Sequence, residues 1–219
     1  MKYSHALLFL YYMLTGFQFG LLEKYIVPRY WVFTPLDQYI PFIPAFVVPY
    51  VLWFPIIGVI LGVLFLSDRG DFTRTIMLLC VGTSVAHLFY LLFPHGQPLR
   101  PIITDNDVFS RVVRDLIYAN DTNTNCCPSL HVLDQLAVHI GLCKSKLCRD
   151  RKGWKTASLV MTVLICASTV FVKQHSILDV IAALLLEIPL YLLIFKVDWG
   201  RVFQPAIRRL RKDPLPTEN

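Results

Sequence analysis

The chain has 219 residues, of which 55% are hydrophobic and only 16% are charged, and its mean hydropathy is +0.54. This composition excludes an ordinary soluble domain and favours a domain embedded in a membrane. The net charge of +6 agrees with contact with anionic lipid, because the basic residues collect beside apolar stretches, and we expect no nucleic-acid partner.

Six apolar runs follow one another along the chain, and most approach the roughly 20 residues that cross about 30 Å of hydrocarbon. The fourth run is too short alone and completes a span only if its helix starts at Pro128 or Ser129. We predict an all-α bundle of about six transmembrane helices in a single domain over residues 1–219, with every motif inside residues 94–180. The runs are Ala6–Leu22, Phe42–Leu66, Thr73–Phe93, Val132–Cys143, Thr156–Val172 and Ile177–Phe195.

Basic residues predict how this bundle is oriented. Lys and Arg crowd residues 144–155 and the tail at 197–219, and cytoplasmic loops are the ones that collect such residues. Counting back through six spans puts the N-terminus on the same side. We therefore predict a multi-pass cell-membrane protein with cytoplasmic termini, a cytoplasmic basic tail and a site that faces outward.

An amphipathic helix is predicted between Pro101 and Pro128, where apolar residues recur at helical spacing after a group of cap-type residues. We expect it to lie at the outer surface of the membrane. Its polar side carries Arg111 and Arg114. These two arginines either contact a lipid headgroup or form a solvated face with weak helical ion pairs.

His175 and Asp179 are separated by one helical turn, so they lie on the same side of a helix. The carboxylate can accept the proton of one imidazole nitrogen, which leaves the other nitrogen free to attack phosphorus. The alternative is a buried polar pair that ties helices together.

Three other residues could supply the remaining groups that phosphoryl transfer needs. His131 is the candidate acid for the leaving oxygen; Ser129, with the unpaired N–H groups of a helix N-terminus, is a candidate phosphate ligand; and Arg100 offers a bidentate clamp. Lys173 is either a second phosphate-binding cation or an interfacial anchor. Asp134, about one turn below His131, either supports that imidazole or bonds a neighbouring helix.

The Pro-Ser-Leu-His segment that ends at His131 and the His-x-x-x-Asp segment from His175 to Asp179 resemble the second and third motifs of the type 2 phosphatidic acid phosphatase superfamily. This superfamily contains membrane lipid phosphatases and related lipid phosphotransferases, and the resemblance covers roughly the last two-thirds of the chain. It implies His175 as nucleophile, Asp179 as its support, His131 as acid, Ser129 and Arg100 as phosphate ligands, and no metal or other cofactor.

Two cations of the family pattern are missing. Phe93 stands where the first motif has a lysine, and Thr169 stands where the third motif has an arginine. Fewer positive charges suit a phosphodiester, which carries one negative charge, better than a phosphomonoester, because uncompensated charge is costly at low dielectric. With Leu130 in place of the more usual glycine, the pattern is similar to the branch of sphingomyelin synthase and inositol phosphorylceramide synthase.

Three functional hypotheses follow for a protein whose partners are a lipid phosphate substrate and the bilayer. The first is a lipid phosphatase that hydrolyses a phosphatidate-like ester or a polyprenyl diphosphate through a phosphohistidine. The second is a lipid phosphotransferase that passes a phosphorylated headgroup to a lipid hydroxyl. The third is a non-catalytic lipid-binding or transport protein. The sequence does not predict an oligomeric state.

Overall fold

The computed structural model describes residues 4–198 and is mainly helical. Four helical stretches have the length and composition to cross a membrane: Pro44–Ser67, Arg69–Leu92, Lys152–Phe171 and Ile177–Lys196. The predicted all-α membrane bundle is therefore confirmed, whereas the count of six spans stays a prediction. The helices are α1 Ser4–Tyr25, α2 Leu36–Tyr39, α3 Val47–Ser67, α4 Arg69–Leu92, α5 Val108–Arg111, α6 Tyr118–Asn120, α7 Leu130–Lys144, α8 Lys152–Phe171 and α9 Ile177–Tyr191.

Short irregular helices extend three of these elements. A 3-10 turn, Pro44–Phe46, leads into α3, and π-helical turns follow α5 at Val112–Ile117 and α9 at Leu192–Lys196. Most of the predicted basic tail, from residue 199 onward, lies outside the described residues.

Helix α7 lies at the centre of the bundle, where it packs against α3, α4, α8 and α9. Its apolar side contributes the fully buried Leu133 and Val138 to the core. Its polar side bonds α8, since Gln135 donates to Thr162 and His139 lies 2.9 Å from the hydroxyl of Ser158. A helix of 15 residues is about 22 Å long at 1.5 Å per residue, so α7 is shorter than the hydrocarbon is thick.

One end of the bundle carries the basic loop between α7 and α8. Asp68 caps α4 by accepting from the N–H groups of Gly70 and Asp71, and Nζ of Lys146 donates to Asp68 at 2.7 Å. The bond from this ammonium holds the pKa of Asp68 below its usual value. The predicted cytoplasmic loop is thereby joined to the α3–α4 turn.

The opposite end gathers the connections that hold the motifs. Two short parallel strands, β1 Tyr30–Trp31 and β2 His95–Gly96, pair there, and the amide of Gln97 donates to the main-chain carbonyls of Lys173 and Gln174. The segments after α1, after α4, before α7 and before α9 therefore meet at one place, as an antiparallel bundle requires.

The predicted amphipathic helix lies at this same end. It runs through α5, the first π-helical turn and α6, and the side chain of Asp107 caps it by accepting from two main-chain N–H groups. Val113 on its apolar side is fully buried. The ion pair on its polar side joins Arg114 to Asp115 at 2.8 Å. The helix is confirmed, and its contact with a membrane surface stays a prediction.

Candidate active site

His175 and Asp179 form a buried pair at the start of α9. Nδ1 of His175 lies 3.1 Å from Oδ2 of Asp179, and the N–H of Ser176 donates to the same oxygen at 3.0 Å. Ser176 caps the helix, and Asp179 closes a capping box with it. Because the carboxylate accepts from Nδ1, that nitrogen carries the proton and Nε2 keeps its lone pair.

His131 belongs to the first turn of α7, two residues after the N-cap Ser129. Its ring is packed against the rings of Tyr50 and Trp53, with centroids 4.3 and 4.2 Å away, and its centroid lies 5.7 Å from that of His175. The N–H of Ser129 donates to the main-chain carbonyl of Asp179 at 3.1 Å. The structure therefore joins the two histidine motifs by a direct backbone bond.

Both imidazoles line one cavity of about 410 Å³. Its walls come from α1, α3, α4, α7, the loop before α7 and the turn before α9, and apolar and aromatic side chains form much of them. Phe17 and Phe54 belong to this lining and are also 64% and 70% exposed, so the cavity reaches the outer surface of the bundle between α1 and α3.

Arg100 lies beside the cavity without lining it. Its guanidinium donates to the main-chain carbonyls of Tyr118 and Asp121 and, at 2.7 Å, to Oε1 of Gln174, and it stacks on the Tyr118 ring at 4.3 Å. Gln174 does line the cavity. The arginine is therefore held one side chain behind the wall that carries His175.

Two of the predicted site residues have other partners. Nζ of Lys173 donates to the main-chain carbonyl of Asp37 at 2.7 Å, and Lys173 does not line the cavity. Asp134 lines it but accepts from Tyr12 at 2.9 Å and from Thr83 at 3.1 Å. Both of its oxygens are thus bonded to α1 and α4, and of the two interpretations the structure favours helix-to-helix bonding over support of His131.

The remaining predicted positions lie away from the cavity. Arg111 and Arg114 are on the amphipathic helix and do not line it. Phe93 is half-exposed and stacks on Phe89, while the buried Thr169 donates to the main-chain carbonyl of Cys166. The two positions of the missing family cations thus present no positive charge.

Asp37 is a buried residue that the sequence reasoning missed. It accepts from the N–H of Thr34, from Oγ of Ser176 at 2.7 Å and from the N–H of Ile177 at 2.9 Å. The Thr-x-x-Asp spacing is typical of a local capping contact, and it was the only feature in the sequence that marked this residue. Its link to the turn after His175 spans well over one hundred residues.

Three buried side chains form a cluster that could hold a metal ion. A sulfur, an imidazole nitrogen and a carboxylate oxygen from Cys126, His175 and Asp179 lie within 4.8 Å of one another, all buried. This donor set suits Zn²⁺. Burial raises the pKa of the Cys126 thiol, so a metal ion would have to displace its proton before the sulfur could act as a ligand. The expectation of metal-free catalysis stays a prediction.

Comparison with known proteins identifies the family. The family model of the PAP2 superfamily, the type 2 phosphatidic acid phosphatases, matches residues 30–193. Neither the curated proteins nor the solved structures that were compared with the chain gave a match. The matched range covers well over half of the chain and includes both histidine motifs and Arg100, whereas the α1 wall of the cavity precedes it. The chain therefore belongs to the PAP2 superfamily.

Proposed function

We propose that this protein is a membrane lipid phosphatase that hydrolyses a lipid phosphate ester through a phosphohistidine on His175. Membership of the PAP2 superfamily supports a phosphatase-like function on a lipid phosphate in general. The observation that carries the finer proposal is the buried His175–Asp179 pair, 3.1 Å apart, with the ring of His131 on the same cavity.

The proposed reaction has two steps. Nε2 of His175 attacks phosphorus in line, the bond from phosphorus to the lipid oxygen breaks, and His131 donates a proton to that oxygen. Water then attacks the phosphohistidine while His131 accepts its proton, which releases inorganic phosphate and restores His175. Asp179 stabilises the positive charge that the imidazole carries in the intermediate.

Phosphate binding is proposed for the N-terminus of α7. Oγ of Ser129 accepts from the N–H of Val132, while the N–H groups of Leu130 and His131 have no intrahelical carbonyl to bond because of their position. Arg100 supplies positive charge from behind Gln174, whose side chain it contacts at 2.7 Å. The bond from Lys173 to Asp37 favours a structural role for that lysine, and Arg111 and Arg114 remain candidates for headgroup contact at the surface.

The substrate is proposed to enter from the bilayer. The cavity reaches the outside between α1 and α3, where its exposed lining residues are apolar. The basic α7–α8 loop lies at the other end of the bundle, and cytoplasmic loops collect such charge. We therefore place the cavity end at the outer leaflet, with water from the outer side as the acceptor.

A second candidate function is lipid phosphotransfer, in which a lipid hydroxyl replaces water in the second step. Phe93 and Thr169 occupy the positions of two family cations and bring no charge to the site. A phosphodiester needs less compensation than a phosphomonoester. This deficit favours a substrate such as a phosphodiester lipid that donates its phosphorylated headgroup.

One experiment separates these functions. Purified protein is incubated in vesicles with phosphatidate, phosphodiester lipids, a polyprenyl diphosphate, diacylglycerol and ceramide, and the products are measured by mass spectrometry. Free phosphate with a dephosphorylated lipid supports the phosphatase, and a new phosphodiester lipid supports the transferase. No product from any lipid would favour a non-catalytic lipid-binding or transport protein.

The same assay tests the nucleophile. His175→Ala should abolish turnover and the acid-labile phosphoenzyme. His139→Gln is the matched control, because His139 bonds Ser158 on α8 and does not line the cavity. Turnover by His175→Ala at the wild-type rate would overturn the phosphohistidine mechanism.

A further inference from the structure

A second polar group lies in the cavity, deeper in the bundle than the two catalytic histidines. Asp134 is one turn after His131 on α7, and its two oxygens accept from the hydroxyls of Tyr12 on α1 and Thr83 on α4. These three residues line the cavity, as does His87, one turn after Thr83. We call Tyr12, Thr83, His87 and Asp134 the floor cluster.

The floor cluster is costly for a structure in lipid. Asp134, Thr83 and His87 are buried, and ionisable groups at membrane depth call for a functional explanation. A purely structural link between three helices would need only the two bonds to Asp134. Such a link does not explain why the imidazole of His87 also borders the cavity.

His87 is the member whose bonding is incomplete. Neither of its ring nitrogens has a hydrogen-bond partner among the described residues, although the ring is nearly parallel to that of Phe19 and is tilted relative to that of Tyr90, with centroids 6.1 and 6.0 Å away. A buried donor or acceptor that is left unpaired lowers the stability of the folded protein. A ligand in the cavity that bonds this imidazole, after a small movement of the ring, would remove that penalty.

Charge limits what the ligand can be. No Lys or Arg is among the described residues that line the cavity, so a second anionic group beside Asp134 would meet a carboxyl group without a neighbouring cation. Hydroxyl oxygens, a carboxyl group and an imidazole together accept and donate hydrogen bonds. They suit uncharged hydroxyl, ester or amide groups, while the apolar walls suit acyl chains.

We propose that the floor cluster binds the uncharged backbone of the lipid alcohol that the reaction releases. This inference rests on the proposed function, since that alcohol is the group that leaves when the phosphoryl group moves to His175. If a lipid hydroxyl attacks in the second step, it must approach the same phosphorus along the reverse path, so the entering alcohol uses the same site. The floor cluster thus selects lipid substrates that have one phosphate and a neutral, hydrogen-bonding backbone.

Tyr12 and its neighbour Tyr11 provide a matched pair of variants. Tyr12→Phe removes the hydroxyl that donates to Asp134. Tyr11→Phe makes the same chemical change on an exposed face of α1, where the hydroxyl contacts Ser84. Thr83→Val is a second variant that removes the other hydroxyl bonded to Asp134.

Two substrates separate backbone binding from chemistry. Phosphatidate in vesicles carries a lipid backbone, whereas p-nitrophenyl phosphate in solution has none. We expect Tyr12→Phe and Thr83→Val each to raise KM for phosphatidate about tenfold, because each removes a hydroxyl that holds Asp134 in the floor cluster. Their kcat/KM with p-nitrophenyl phosphate should fall by a smaller factor than their kcat/KM with phosphatidate, and Tyr11→Phe, which lies outside the floor cluster, should match wild type on both substrates.

A direct measurement of diacylglycerol binding tests this inference independently of the proposed function. A fluorescent short-chain diacylglycerol is titrated into wild-type protein and each variant in lipid nanodiscs, without any turnover. Weaker binding by Tyr12→Phe and Thr83→Val, but not by Tyr11→Phe, supports the site even if neither phosphate ester is hydrolysed. Equal losses on both phosphate substrates, or unchanged diacylglycerol binding in all three variants, would overturn it.

Discussion

Oδ2 of Asp37 accepts a hydrogen bond of 2.7 Å from Oγ of Ser176, the residue that follows the proposed nucleophile. Oδ1 of Asp37 accepts from the N–H of Ile177, the first residue of α9. A carboxylate from the segment before α3 therefore holds the turn that presents His175 to the cavity.

Replacement of Asp37 tests this link. Asp37→Ala removes the acceptor of three donors, the buried Oγ of Ser176 and the half-buried N–H groups of Thr34 and Ile177. Each unpaired buried group costs about 1–3 kcal/mol, so we expect the free energy of unfolding to fall by several kcal/mol and turnover to fall with it. Thermal unfolding in detergent and kcat with a lipid phosphate measure the two effects.

Asp107→Ala is the control for this prediction. Asp107 also caps a helix through its side chain but lies on the exposed surface helix. Loss of such a cap should lower the melting temperature less than loss of the buried Asp37 bonds does, and it should leave kcat unchanged. An Asp37→Ala protein that melts at the wild-type temperature would show that the bond to Ser176 contributes nothing to stability.

The parts of the site that depend on local spacing were predictable from sequence. His175 and Asp179 are four residues apart at a helix start, so helix geometry alone brings the side chains together. Ser129 precedes the first turn of α7 and caps it, as its residue type favours. The family motifs then gave roles to residues whose closeness in space already followed from their spacing along the chain.

The parts that depend on tertiary packing were not predictable. Asp134 is correctly placed one turn from His131, but its partners Tyr12 and Thr83 come from helices more than fifty residues away in the chain. Lys173 stands in a left-handed turn with φ of 55°, and its ammonium bonds the carbonyl of Asp37. The spacing of residues along the chain does not indicate which neighbouring helix or turn a long side chain contacts.

Removal of the candidate acid has a different signature from removal of the nucleophile. His131→Ala should slow turnover of a lipid phosphate about 10²–10⁴-fold, because a lipid alkoxide is a poor leaving group without a proton. The loss should be much smaller for p-nitrophenyl phosphate, whose leaving group needs little protonation. Steady-state kinetics with both substrates make the comparison.

A control variant tests whether the lost turnover of His131→Ala results from loosened packing. The His131 ring contacts the rings of Tyr50 and Trp53, so its removal also loosens the packing against α3. Trp53→Phe loosens the same contact and keeps the imidazole. If Trp53→Phe and His131→Ala lose activity equally on both substrates, proton donation by His131 is contradicted.

His95 predicts a pH dependence of stability. Nδ1 lies 2.6 Å from the main-chain carbonyl of Phe93, and Nε2 accepts from the N–H of Cys127 at 2.7 Å. Nδ1 therefore carries the proton and the ring is neutral. Burial lowers the pKa of His95 below its usual value of 6.5, because the protonated ring would be desolvated and would lose the bond from Cys127.

The sign of the effect follows from proton uptake. Between the lowered folded pKa and 6.5 the unfolded chain binds more protons than the folded protein, so stability is present above pH 6.5 and is lost as the pH falls below it. Melting temperatures measured from about pH 8 to about pH 5.5 should fall more for wild type than for His95→Gln. The glutamine oxygen can accept from Cys127 without titrating, so parallel melting curves for the two proteins would contradict a buried neutral His95.

Helices α7 and α4 are tightly packed at Gly141. A Cβ atom built on Gly141 would lie 2.1 Å from Oγ1 and 2.5 Å from Cγ2 of Thr75. Thr75 is fully buried, and its hydroxyl donates to the main-chain carbonyl of Asp71, so its β-branched side chain has little freedom to turn away. Gly141→Ala should therefore lower the free energy of unfolding by about 1–3 kcal/mol through overpacking.

Two further variants make this prediction specific to the contact. A methyl group added at Gly153 on α8 would meet no atom within 4 Å, so Gly153→Ala should be neutral or stabilise the helix by up to about 1 kcal/mol.

In the double variant Thr75→Ala with Gly141→Ala, two of the clashing atoms are gone, so part of the lost stability should return as a coupling energy between the sites. Because α7 also carries His131 at its start, a shift of this helix should lower turnover of lipid phosphate in Gly141→Ala and restore some of it in the double variant. Additive losses in the double variant would mean that α7 and α4 do not meet at this pair.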